Sequence, residues 1–109
     1  MMIRIAIPTT GKRKLTNKVA DTFSRAPHFT IVTIEDNQIK KLDVVQNPGE
    51  TLERGAGPLA ARILKEKQVD LLLTSEVGPG AKNILEALEI QINMVEQGNT
   101  VKEVVAAYL

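Results

Sequence analysis

The sequence predicts a three-layer α/β domain around a mixed sheet of about five strands, and three observations lead there. One pattern is written twice: Gly57-Pro58-Leu59-Ala60-Ala61-Arg62-Ile63-Leu64 and Gly78-Pro79-Gly80-Ala81-Lys82-Asn83-Ile84-Leu85 share Gly-Pro-x-Ala-x-x-Ile-Leu, and each precedes an apolar run, Val69 to Leu73 and Ile90 to Met94. The run Val69-Asp70-Leu71-Leu72-Leu73-Thr74 is short and continuously apolar, as in a parallel strand buried on both faces. Two further apolar runs, His28 to Ile34 and Gln38 to Gln46, are separated only by Glu35-Asp36-Asn37, which requires an antiparallel hairpin.

The elements follow in order. Met2 to Ile7 places Ile3, Ile5 and Ile7 on one face and small Ala6 on the other, a first strand ended by Pro8-Thr9-Thr10-Gly11. Leu15 to Phe23 is expected to contain a helical turn, and Ala26-Pro27 breaks any helix before the hairpin. Asn47-Pro48-Gly49 closes the third strand, and Glu50 to Arg54 reads as a polar, mobile connection. Gly57-Pro58 and Gly78-Pro79 then start helices, because Pro at the first helical position has its φ preset and lacks only an N–H that has no partner there. Ala60, Ile63, Leu64 and Lys67, and in the second copy Ala81, Ile84, Leu85 and Leu88, form one stripe per helix. Helix, strand, helix and strand at this spacing make a right-handed crossover. Thr100 with Glu103 is a capping box for a last helix carrying Val101, Val104, Val105 and Tyr108 inward.

Composition removes several functions. A chain of 109 residues fits one domain, residues 1–109, large enough for a core without metal or disulfide staples. With no cysteine there are no disulfides, thiolate metal sites or cysteine nucleophiles, which suits a cytoplasmic protein. No run approaches a membrane span, and Met1-Met2-Ile3-Arg4 does not open a signal peptide, so no membrane partner is expected. One Tyr, two Phe and no Trp give no stacking platform, so no nucleic acid is expected either. Between Thr10 and His28 stand Lys12, Arg13, Lys14, Lys18 and Arg25 against the single acid Asp21, and the remainder of the chain is net negative. Such a segment is either a solvated loop or a patch that steers an anionic partner.

In a parallel layer each helix starts near the carboxyl end of the preceding strand, where open sheets hold ligands. Ser75, Glu76, Gly78 and Gly80 are therefore expected at a ligand edge, which Gly55 and Gly57 join if the crossover brings them there. Two helix N-termini offer free N–H groups and partial positive charge, suited to an anionic ligand, with Lys12, Arg13 and Arg25 as its basic surroundings. Gly-Pro also starts helices with no ligand at all.

The stretch Asp21-Thr22-Phe23-Ser24-Arg25-Ala26-Pro27-His28-Phe29, the Gly55-Ala56-Gly57 before a helix, and Asp70 to Ala81 resemble the dinitrogenase iron-molybdenum cofactor biosynthesis family over nearly the whole chain. The resemblance implies a ribonuclease H-like motif and the handling of an iron-molybdenum or iron-sulfur cluster in transit, often through His or Cys. That family commonly has His-Phe-Gly where Thr22-Phe23-Ser24 stand, so a cluster-ligating His is replaced by Thr22. His28 is the only imidazole and the one candidate metal ligand, a thin set for a soft cluster that favours thiolates.

Catalysis finds little support. Ile3 to Ile7 lacks the strand carboxylate that two-metal nuclease chemistry requires. Ser75 has no nucleophile elbow, and no P-loop or G-x-G-x-x-G is present. The reading is therefore a non-enzymatic binding or carrier protein for an anionic ligand or metallocluster. An interaction module docking on a partner protein is the alternative, and a hydrolase or nuclease ranks below both.

Overall fold

In the computed structural model, which describes residues 1–109, five strands form one sheet in the order β3-β2-β1-β4-β5. These are β1 (Met2–Thr9), β2 (His28–Glu35), β3 (Gln38–Gln46), β4 (Leu71–Thr74) and β5 (Gln91–Met94). β1, β4 and β5 run parallel, whereas β2 is antiparallel to both β1 and β3, so the sheet is mixed as expected. The hairpin turns through Asp36 and Asn37, both at positive φ, the backbone twist that two-residue hairpin loops require.

Period-two alternation splits the core cleanly. Ala6, Phe29, Ile31 and Leu72 face one side, where α1 (Ala56–Glu66) and α2 (Pro79–Ala87) cover them with Ala60, Ala61, Leu64 and Leu85. Ile5, Ile7, Val32, Ile34, Leu71 and Leu73 face the other, under Val101, Val104 and Val105 of α3 (Val101–Val105). β4 is buried at every residue.

The repeated pattern is a structural repeat, and it extends past the helices. Each ends on a non-glycine residue in the left-handed region, Gln68 at φ 59 and Glu89 at φ 63. The next amide reaches back, Val69 N–H to the Leu64 carbonyl and Ile90 N–H to the Leu85 carbonyl, both at 3.0 Å.

Four local expectations change. α1 starts at Ala56, with Gly55 as its cap at φ 78, so Pro58 is the third helical residue rather than the first. Proline is tolerated there because the first turn has no intrahelical acceptors for its N–H groups. Lys67, placed in the stripe by spacing, lies past the helix end and is exposed, while Ala56 and Ala61 are buried instead. Leu15 to Phe23 holds a single hydrogen-bonded turn, Asn17 N–H to the Lys14 carbonyl at 3.1 Å, which does not continue into a helix. Val19 bridges Thr9 and Lys18 bridges Thr100, so extended backbone pairing takes the hydrogen bonds a helix would have used. Finally, the connection expected to be mobile begins with a short 3-10 turn, Pro48–Thr51, capped by Asn47 and with Gly49 buried.

Candidate functional site

β1 and β4 end, β2 begins and β3 ends at one edge of the sheet, where Thr9 pairs with His28 and His28 with Gln46. The expected site residues all lie along this edge, but on two faces. On the α1/α2 face, Ser75 to Gly78 leads out of β4 into α2, and the Asn47 turn carries the chain from β3 to the start of α1. A Cβ on Gly57 would stand 3.3 Å from Ala81 Cβ, so the first turns of the two helices touch. Neither helix has a side-chain cap, and the first-turn amides of Ala56, Gly57, Gly80 and Ala81 have no protein acceptor. A Cβ at Gly55, Gly78 or Gly80 would meet nothing within 4 Å, which leaves these turns open to solvent.

Around them the polar groups are partly committed. Ser75 Oγ donates to the Ala20 carbonyl at 2.6 Å, and Thr74 Oγ1 to the Glu76 carbonyl at 2.8 Å, which together fix the strand-to-helix turn. The Glu76 carboxylate accepts from Thr22 Oγ1–H and Phe23 N–H, each at a loose 3.4 Å. Arg25 donates to the carbonyls of Leu52 and Glu53 and so ties down the segment before α1. Asn47, 1% exposed, donates through Nδ2 to the carbonyls of Ser24 (2.9 Å) and Ala26 (2.8 Å), and its Oδ1 accepts from Gly49 N–H at 2.9 Å. Phe23 is anchored in the core against Phe29, ring centroids 5.6 Å apart.

Lys12 and Arg13, expected beside the helix starts, belong to the other face. Asn17 accepts through its carbonyl from Val101 N–H, and Leu15 from Lys102 N–H, which fastens the basic loop to α3. The Asn17 side chain closes the loop by a reciprocal pair with Gly11, N–H to Oδ1 at 3.1 Å and Nδ2–H to O at 2.6 Å, and also reaches Thr30 Oγ1. Lys12 and Lys14 line a depression of about 370 Å³ with His28, Leu42, Asp43, Val44 and Gln46. Arg13 lines a smaller hollow of about 240 Å³ with Lys18, Thr10 and Thr16. Arg25 is thus the basic site candidate that the fold places against the approach to α1.

No three His, Asp or Glu side chains gather in a way that could hold a metal ion, and His28 has no neighbouring ligand set. No helix is long and apolar enough to cross a membrane. Sequence reading missed the roles of Asn17 and Asn47. For Asn47 a signal existed, since Asn-Pro-Gly favours a side chain bonding two residues ahead; for Asn17 the bond depends on a loop closure that no local pattern announces.

The chain is 33% identical to the orange protein of Desulfovibrio gigas, whose apo structure it matches with a TM-score of 0.87 over 99% of this chain and 88% of that one. A Thermotoga protein, TM1290, solved by NMR as a candidate NifB protein, is 35% identical and superposes with a TM-score of 0.78 over 97% and 86% of the respective chains. The uncharacterised protein MJ0580 of Methanocaldococcus jannaschii is 25% identical over 91 residues, 84% of this chain and 73% of that protein. The profile described as dinitrogenase iron-molybdenum cofactor matches residues 1–109. On this match over its whole length, and with the sheet order and paired helix starts above, the chain belongs to the dinitrogenase iron-molybdenum cofactor family.

Proposed function

We propose that this protein is a non-enzymatic, cytoplasmic carrier that holds an anionic metallocluster, or a precursor of one in transit, against the paired starts of α1 and α2. The observation that carries the reading is the contact of those two first turns, whose amides at Ala56, Gly57, Gly80 and Ala81 have no protein acceptor and whose glycines Gly55, Gly78 and Gly80 border open space. Backbone N–H groups at two helix N-termini attract negative charge without any ionisable side chain. Family membership supports the class of cargo.

The donor set does not fit protein-to-metal bonds. Cysteine is absent, His28 is alone, and no three acidic or imidazole groups converge. A soft cluster would therefore be cargo that brings its own sulfide ligands and is held as an anion by N–H donors. Glu76, whose carboxylate accepts from Thr22 and the Phe23 amide, is the carboxylate of this edge and would oppose an anion held there.

Anaerobic incubation with iron, molybdate and sulfide, then desalting, absorbance and metal analysis, tests the proposal. The expected result is retained metal with visible absorbance, lost in Gly80→Asp, where the new side chain has room but sets a negative charge in the first turn of α2. A colourless, metal-free wild-type protein overturns it.

A further inference from the structure

The three helices leave part of the sheet bare. α3 covers Ile5, Ile7, Val32 and Ile34, but beyond β2 the edge strand β3 carries Leu42 and Val44 on the same face, half-buried and under no helix. Beside them lie His28 and Gln46, paired across the strands, and above them the loop bearing Lys12 and Lys14; together these residues enclose the depression of about 370 Å³.

Three independent features suit this hollow to an anion with an apolar body. Its lysines are uncompensated: the ion pairs of the molecule are Met1–Asp36 and Lys41–Asp43, so the one acid at the rim, Asp43, is already matched by Lys41 at 3.5 Å. Its loop is preorganised, because the buried Asn17 side chain bonds both ways to Gly11 and the Thr9 and Thr30 hydroxyls beneath it meet at 2.9 Å. Little backbone ordering is then left for a ligand to impose. Third, His28 Nδ1 is buried without a hydrogen-bond partner. A proton there would be a buried, unsatisfied donor, which leaves Nε2 as the ring nitrogen able to donate to a ligand.

We propose that this depression is a binding site for a small organic anion, its carboxylate or phosphate head held by Lys12, Lys14 and the His28 Nε2–H and its apolar body laid on Leu42 and Val44. The site lies on the opposite face of the sheet from the starts of α1 and α2 and does not depend on the cofactor reading.

His28 is the only histidine, so its ring protons are a single-residue reporter in NMR. The full chain is titrated with phenyl phosphate, benzoate and inorganic phosphate. The expected outcome is a saturable shift of the His28 ring with phenyl phosphate or benzoate, the better of the two naming the head, at several-fold tighter affinity than inorganic phosphate. In Lys12→Gln/Lys14→Gln the affinity falls at least about tenfold, the weight of one charge-assisted hydrogen bond. Gly80→Asp leaves it unchanged, which separates this site from the helix starts. Absence of a saturable shift with every probe, equal affinity for inorganic and phenyl phosphate, or an unaltered double variant overturns the proposal.

Discussion

Asn47→Ala tests whether one buried amide organises the approach to the helix starts. The side chain makes three hydrogen bonds, to the carbonyls of Ser24 and Ala26 and from the Gly49 amide, at 2.8 to 2.9 Å. Each is worth about 1 kcal/mol net, so the truncation is expected to cost about 3 kcal/mol. For a domain of this size that lowers Tm by roughly 12 °C, taking about 4 °C per kcal/mol. Urea unfolding with linear extrapolation, at unchanged m, supplies the equilibrium value. A second variant sharpens the test. Asn47→Asp keeps the acceptor for Gly49 but sets a carboxylate against two carbonyls, so it is expected to be less stable than the alanine variant. A loss below about 1 kcal/mol for alanine, or an aspartate milder than alanine, would refute the assignment of the clamp to these bonds.

Other outcomes follow from single features. Gln68→Gly removes the side chain from a left-handed helix cap at φ 59, and a gain of about 1 kcal/mol in urea is expected. Gly57→Leu drives a side chain into Ala81 and is expected to lose about 1 to 3 kcal/mol while parting the two helix starts, read as lower metal retention after reconstitution. The Glu103 carboxyl is held below its ordinary 4.5 by the Thr100 backbone N–H first and the Thr100 hydroxyl second. A depressed folded value means that its stabilisation is present above about pH 4.5 and is lost as pH falls through that lower value, so Glu103→Gln should flatten that part of an acid-unfolding curve. Glu76→Gln removes the carboxylate beside Thr22 and Phe23, and metal retention is expected to rise about two- to fivefold, the range of a charge near a helix N-terminus.

Much of the architecture was legible because local and global preferences agree. Alternation in β1, the Asp36-Asn37 turn, and Thr100 with Glu103 each carry a mechanism that needs no tertiary partner. Where partners decide, the sequence was silent. Nothing near Gly55 says that it rather than Gly57 will cap α1, since both precede Pro58; in the fold Gly55 takes φ 78 and Gly57 packs on Ala81. The basic segment was visible as composition, yet its side of the sheet depends on Asn17 bonding to α3, a contact between distant parts of the chain. The candidate residues thus lie along one edge of the sheet, while their division between two faces required coordinates.

The unmatched lysines of the Gly11 loop have a consequence for how far this face can be felt. With no internal counterion, their field is set by the surrounding electrolyte and fades over about 8 Å at physiological ionic strength and about 30 Å at 0.01 M. The same protein therefore presents a long-range attractor in dilute buffer and a contact-range one in physiological salt. Association rates measured on this surface will fall as salt is added even when no contact in the bound state changes.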